Sequence, residues 1–275
     1  MIKISLINFS TRRKKRSVVL TKQQYLMGLL VIFVAAYSQY FIPGLNLFRG
    51  LWIVYGAPLA FMVFVPWARE ILKSFFKNTS RALQMGFASF GVWSLIGLFA
   101  AMMVFVFLKE LDPASVSLLS KSDPVLNVSP KFAWLMVWVS ILVVGPAEEF
   151  IFRGFIFGGL LQFFKNRYWI ILALISSFLF AGAHLYYSLV YGLSSLTIFV
   201  NLFAFGMAMA FVYYLSGGNL FAPALIHGLY DAAGFVAVAG EASIGTSLRS
   251  FMIVLGILIA FVLIVWPDKK GRVIS

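Results

Sequence analysis

The chain has no cysteine, only two histidines and only nine acidic residues in 275. The missing cysteine excludes disulfides, thiolate metal ligands, a cysteine nucleophile and lipidation of the chain's own thiols. It assigns no redox compartment. Charged residues of both signs make up 11% of the chain against 62% hydrophobic ones. A soluble domain carries about a quarter charged residues and about half apolar ones at most, so a soluble protein is excluded. The formal charge of +13 raises the question of a nucleic-acid partner, which the placement of the charges has to decide.

In place of charge the sequence has long apolar runs. A membrane helix needs about 20 apolar residues, and candidate spans stand at 25–42, 51–67, 85–108, 133–164, 169–191, 196–215, 220–239 and 251–266. The expected fold is an all-α integral membrane protein with about eight transmembrane helices. The fourth run is overlong and interrupted by Glu148, Glu149 and Arg153, which predicts a tilted or protruding helix. Its end at 160–164 also reads as an interfacial segment. The stretches 43–50, 113–130 and 216–219 are rich in turn formers and read as connections.

Lysine and arginine in the flanks set the orientation. The amino arm carries Lys3, Arg12, Arg13, Lys14, Lys15, Arg16 and Lys22. Arg69, Lys73, Lys77 and Arg81 follow the second span, Lys165 and Arg167 the fourth, and Lys269, Lys270 and Arg272 the last. Alternate connections hold only Arg49, Lys109, Lys121, Lys131 and Arg249. An even number of spans with both termini cytoplasmic fits this pattern. The basic excess then marks the inner leaflet and its anionic lipids, and no nucleic-acid partner is expected. The first apolar run reads as a retained anchor helix, because the basic region before it is too long for a signal peptide. The chain divides into a basic cytoplasmic arm (1–24), a set of N-terminal membrane helices and connections (25–132), a core that holds the ionisable residues (133–239), and a last helix with a basic tail (240–275). The expected location is the cell membrane.

Ionisable groups deep in a bilayer cost at least about 2.5–3.5 kcal/mol each, so each needs a partner or a function. Glu148, Glu149, Arg153 and Asp231 lie in apolar spans, as do both histidines, His184 and His227. Glu149 and Arg153 are four apart and share a helix face, so they can pair. Glu148 points about 100° away and is left without that cation. Two carboxylates in different environments can take different roles, Glu149 with Arg153 structural and Glu148 the base. A purely structural reading makes all three an ionic knot that fixes helix register. His227 and Asp231 are also four apart on one face, near the middle of the seventh span, and His184 sits somewhat past the middle of the fifth. Read singly, each histidine is a helix-to-helix hydrogen-bond partner, and Asp231 orients His227 or pairs with Arg153. Together, side chains from three helices can meet at similar depth. The small residues Gly145, Gly154, Gly158, Gly159, Gly182 and Gly228 would let these helices approach closely.

These residues resemble the type II CAAX prenyl endopeptidases and their prokaryotic relatives, the CPBP or ABI membrane proteases. That family's pattern is Glu-Glu-x-x-x-Arg, then Phe-x-x-x-His, then His-x-x-x-Asn or Asp. Here it stands as Glu148–Glu149 with Arg153, Phe180 with His184, and His227 with Asp231. Order, spacing and placement on successive spans match over roughly 133–239, while the first three spans and the last agree only in being hydrophobic. The eight-helix count suits the family. The resemblance implies peptide hydrolysis within the membrane by a glutamate-activated water. Glu148 with His184 would position and deprotonate the water, and His227 with Asp231 would face the carbonyl oxygen and stabilise the oxyanion. Glu149 and Arg153 would hold the geometry, and the substrate would be a membrane-associated or lipid-modified peptide, prenylated CAAX peptides among them.

One departure concerns Asp231. CAAX-processing members typically carry asparagine there, whereas an ionised aspartate would repel an oxyanion. It donates only when protonated; otherwise it orients His227 as a charged donor. Prokaryotic members admit aspartate, so the departure bears on the substrate more than on the family. No His-Glu-x-x-His helix, no Gly-x-Ser-x-Gly and no second intramembrane aspartate supports another intramembrane protease class. The expected mechanism needs no cofactor; a zinc site of Glu148, His184 and His227 is the alternative. The alternative function is a non-catalytic membrane partner, such as a bacteriocin self-immunity or signalling scaffold, although every expected group is retained. A proton-coupled transporter would show broken helices in two matching halves, and no half-repeat is evident.

Overall fold

The computed structural model describes residues 18–41, 50, 52–120, 126, 128–164 and 168–265. Among these there is no strand. Helix α1 is Lys22–Phe41, and a π-helical turn, Trp52–Gly56, leads into α2, Ala57–Phe64. Then come α3 (Pro66–Lys73), α4 (Thr79–Leu111), α5 (Pro130–Phe164) and α6 (Trp169–Gly182). The chain continues through α7 (Tyr187–Leu215), α8 (Phe221–Val238) and α9 (Ala242–Val265). The all-helical membrane expectation holds, but the count of eight does not carry over. Among the described residues five helices, α4, α5, α7, α8 and α9, are long and apolar enough to cross a membrane, or six with the bent pair around Val65 counted as one.

Two expected spans differ for backbone reasons. The run 51–67 bends by 100° between α2 and α3. Pro66 disfavours the helical conformation for the residue before it, and Val65 is extended at φ −92° and ψ 107°. The run 169–191 is not one helix either. Helix α6 stops at Gly182 after 14 residues, about 21 Å, which is shorter than the roughly 30 Å hydrocarbon core. The chain turns at 183–186 before α7 begins. The fourth run, by contrast, is one long helix through Phe164, as its length suggests.

The exposed basic residues Arg69, Lys73, Lys77 and Arg81 cluster on α3, the following turn and the start of α4. The arm before residue 18, together with Lys165, Arg167 and the tail after residue 265, lies outside the described residues, and with them the expected placement of both termini.

Burial sorts the helices into inner and outer ones. In their most apolar windows α5 and α8 are 61% buried, against 22% for α4 and 11% for α9. The outer helices turn Leu98, Phe99, Phe107, Phe251, Phe261 and Ile264 outward, an apolar surface suited to lipid. The inner part of α5 is buried without interruption from Phe150 to Phe157 and packs with Tyr25, Met62, Phe180, Met207 and Tyr213 into the largest core cluster. A helix apolar all round belongs inside.

Close helix contacts depend on missing side chains. A Cβ on Gly145 of α5 would lie 2.5 Å from the Ala224 carbonyl oxygen, and one on Gly228 of α8 would lie 2.7 Å from the Ser140 carbonyl oxygen. This crossing sets α5 and α8 backbone to backbone beside Glu148, Glu149 and His227. Gly159 gives the same kind of room to the Tyr25 ring, at 2.6 Å. Gly182 does not, since a Cβ there would meet nothing within 4 Å. Gly228→Val is therefore expected to force the two helices apart, with a lower melting temperature in detergent and loss of any activity that depends on the crossing. An unshifted melting curve would show that the crossing can relax at no cost.

Candidate active site

Helix α5 presents its charged residues from an unusual backbone. Wide π-helical turns, Ser140–Val144 and Phe150–Phe157, flank the short α-helical stretch Gly145–Glu149. Pro146 has no N–H for the preceding turn and its ring crowds the carbonyl four residues back, so a widened turn ahead of it relieves the clash. Glu148 and Glu149 end this stretch at 6% and 0% exposure.

Glu149 and Arg153 pair as their spacing predicts, with Oε1 3.0 Å from Nη1. Arg153 is 1% exposed; its Nη2 donates to the Gly206 carbonyl oxygen at 3.3 Å, and its guanidinium lies over the Phe180 ring at 4.5 Å. A weakly hydrated planar cation on an aromatic face is among the less costly ways to bury charge. Glu149 has a second role that the sequence does not reveal. Its Oε1 accepts a hydrogen bond from His227 Nδ1 at 2.7 Å. That bond fixes the imidazole and turns Nε2 toward two other carboxylates, Glu148 Oε2 at 3.6 Å and Asp231 Oδ2 at 3.5 Å.

Glu148 is held differently from its neighbour. Its Oε1 accepts a hydrogen bond from the Tyr55 hydroxyl on the π-turn before α2. Its Oε2 is buried and accepts no hydrogen bond among the described residues. Asp231 lies at the open side of the cluster with its side chain 33% exposed, and within electrostatic reach of His227, Glu148, Arg249 and His184. Arg249 itself stacks over Tyr230 at 4.6 Å. Arg153 belongs to Glu149, so the pairing of Asp231 with Arg153 that the sequence left open is not made.

His184 differs most from expectation. It sits on the turn after α6 rather than within a span, and no direct hydrogen bond or ion pair joins it to Glu148. Its Nδ1 faces the Phe180 carbonyl oxygen at 2.9 Å. A carbonyl only accepts, so Nδ1 carries a proton, and in the neutral imidazole Nε2 keeps its lone pair. Phe180 links the parts, with its ring 5.0 Å from His184, 5.9 Å from His227 and beneath Arg153. Phe205 closes another side at 4.8 Å from His227. Tyr55, Phe205 and the Gly206 carbonyl are the site groups that the sequence did not single out. Among the described residues no three His, Asp or Glu side chains converge on a point fit for a metal ion, so Glu148, His184 and His227 do not stand together as a ligand set.

The site thus gathers Glu148, Glu149, Arg153, His227 and Asp231, with His184 beside them on Phe180. Residues 130–233 match the family model described as type II CAAX prenyl endopeptidase Rce1-like. The matched segment runs from the start of α5 into α8 and contains Glu148, Glu149, Arg153, His184, His227 and Asp231. No curated protein and no solved structure matches the chain.

Proposed function

We propose that the chain is an intramembrane endopeptidase of the cell membrane, using Glu148 to activate the water that hydrolyses a membrane-associated peptide. The matched segment supports a CAAX-type protease activity, and prenylated CAAX peptides are the first substrates to offer. One observation carries the mechanistic reading: Glu148 Oε2 is buried, without a hydrogen-bond partner among the described residues, and 3.6 Å from His227 Nε2, whereas Glu149, whose Oε2 is equally unpartnered, is committed through Oε1 to Arg153 and His227 Nδ1. An unsatisfied buried carboxylate oxygen is costly, and such groups persist where a ligand or reactant supplies the partner.

In this mechanism a water lies against Oε2, with the free Nε2 of His184 as a second acceptor for its protons. Glu148 takes one proton as the oxygen attacks the peptide carbonyl carbon. The carbonyl oxygen becomes an oxyanion, stabilised by His227 donating from Nε2. For that, His227 carries both ring protons, with Glu149 on Nδ1 and Asp231 beside Nε2 as its counterions. Asp231 then acts on His227 and not on the oxyanion. Glu148 returns its proton to the amine as the C–N bond breaks, releasing a carboxylic acid and an amine.

The test is mass-spectrometric detection of cleavage by the detergent-purified protein, with prenylated CAAX peptides offered beside unmodified membrane-anchored ones. New termini at one peptide bond support the proposal, and the preferred peptides define the substrate class. Silence on every peptide from monodisperse protein counts against general CAAX processing. In the same assay a chelator is expected to leave the rate unchanged. Activity lost to the chelator and restored by zinc would replace the glutamate–water mechanism with a metal-bound one.

A further inference from the structure

The centre described above is not completed by the matched segment. One of its hydrogen bonds comes from Tyr55, far outside residues 130–233, on the π-helical turn that precedes the bent helix pair. Each Glu148 oxygen has a different fate. Tyr55 occupies Oε1, and Oε2 has no hydrogen-bond partner among the described residues, only His227 Nε2 at 3.6 Å. A carboxylate free to rotate about its terminal bond would present either oxygen in turn, since that torsion is broad and roughly two-fold. A donor clamped on one oxygen removes the freedom and leaves a single oxygen in a fixed direction, toward His227 Nε2.

We infer that Tyr55 is a positioning residue for the general base: its hydroxyl holds Glu148 by Oε1 so that Oε2 alone faces the water. This rests on the reading of Glu148 as the base. It gives the N-terminal helices a part in the chemistry. Tyr55 is held from one side by α1, which packs against both the π-turn and α2. From the other side, Glu148 is held on α5 by the buried run that follows it. Asp231 and Tyr187 also lie within electrostatic reach of the Tyr55 ring, so the clamp belongs to the same cluster of groups. Misplacing a base by a fraction of its reach costs rate more than binding, because a positioning contact acts on the attack geometry.

The test is Tyr55→Phe, which keeps the ring and deletes only the donor. With the parent enzyme cleaving peptide, the variant is expected to lose about 10–100-fold in kcat, with KM changed by less than about two-fold. Equal kcat would overturn the inference, and so would a loss carried wholly by KM. A second measurement does not depend on turnover. Tyr55→Phe leaves a buried carboxylate oxygen without its donor, so it is expected to lower the melting temperature by about 2–4 °C. On a Glu148→Ala background, where no acceptor remains, that cost should vanish. The same drop on both backgrounds would make Tyr55 a packing residue and overturn the inference. If the parent itself cleaves nothing while the two substitutions remain coupled in stability, the contact stands but the base has failed, and the positioning role fails with it.

Discussion

Glu148→Gln is expected to abolish peptide cleavage while leaving the helix bundle folded. The substitution is nearly isosteric, so the α5–α8 crossing at Gly145 and Gly228 is untouched. The amide oxygen still accepts from Tyr55, which preserves the contact that fixes the side chain. What changes is the other atom. At Oε2, a buried oxygen able to take a proton from water becomes an amide nitrogen that only donates. General-base contributions are about 10²–10⁴-fold, and here the same group also returns the proton to the leaving amine, so the loss should lie at the upper end or beyond it. The check is single-turnover cleavage followed by mass spectrometry, with melting curves and monodispersity run on the same preparations. Retained turnover in folded Glu148→Gln protein would remove the proposed base. Loss of cleavage with a collapsed melting temperature would say instead that Glu148 holds the site together.

Much of the site is legible in the sequence because charge inside an apolar run is expensive and rarely accidental. Glu149 and Arg153 are four apart on a helix and so can pair, and they do so at 3.0 Å. His227 and Asp231 likewise share a face, and the structure sets them 3.5 Å apart. What the sequence does not carry is the direction of the backbone between apolar runs. Hydropathy averaged over 51–67 treats Pro66 as one residue among many, yet that proline fixes Val65 in an extended conformation and turns the chain by 100°. The end of α6 at Gly182 is equally hidden, because the residues from 183 to 191 are still mostly apolar. His184 is therefore read into a span when it lies on a turn. Tyr55 and Phe205 could not be singled out among 11 tyrosines and 30 phenylalanines. Only the packing of distant helices gives either of them a role. The second bond of Glu149, to His227, belongs to the same class, since nothing in the spacing of 149 and 227 predicts a contact across two helices.

Arg153→Met is expected to cost about 3–5 kcal/mol of stability and to take cleavage with it. Met has a similar length and no charge, so the cavity beside Phe180 stays filled. Glu149, however, is left fully buried with its charge balanced only through His227 Nδ1 at 2.7 Å. The cost comes from that stranded carboxylate more than from the lost pair, because an ion pair at this depth recovers little more than its own desolvation. The double variant Glu149→Gln with Arg153→Met distinguishes the two contributions. It removes both charges and still offers an amide oxygen to the His227 N–H, so its melting temperature should recover part of the way toward that of the parent. Cleavage should not recover equally. His227 would then hold its orientation but lose the anion that keeps its ring positively charged on the side away from the substrate, and the oxyanion would face a weaker donor. Detergent melting curves for the parent, the single variant and the double variant, beside their cleavage rates, separate these effects. Should Arg153→Met melt with the parent, the pair is no anchor and the register of α5 is set by its buried aromatic run. Should the double variant cleave at the parent rate, the charge on Glu149 has no part in the reaction, and its role narrows to holding the imidazole in place.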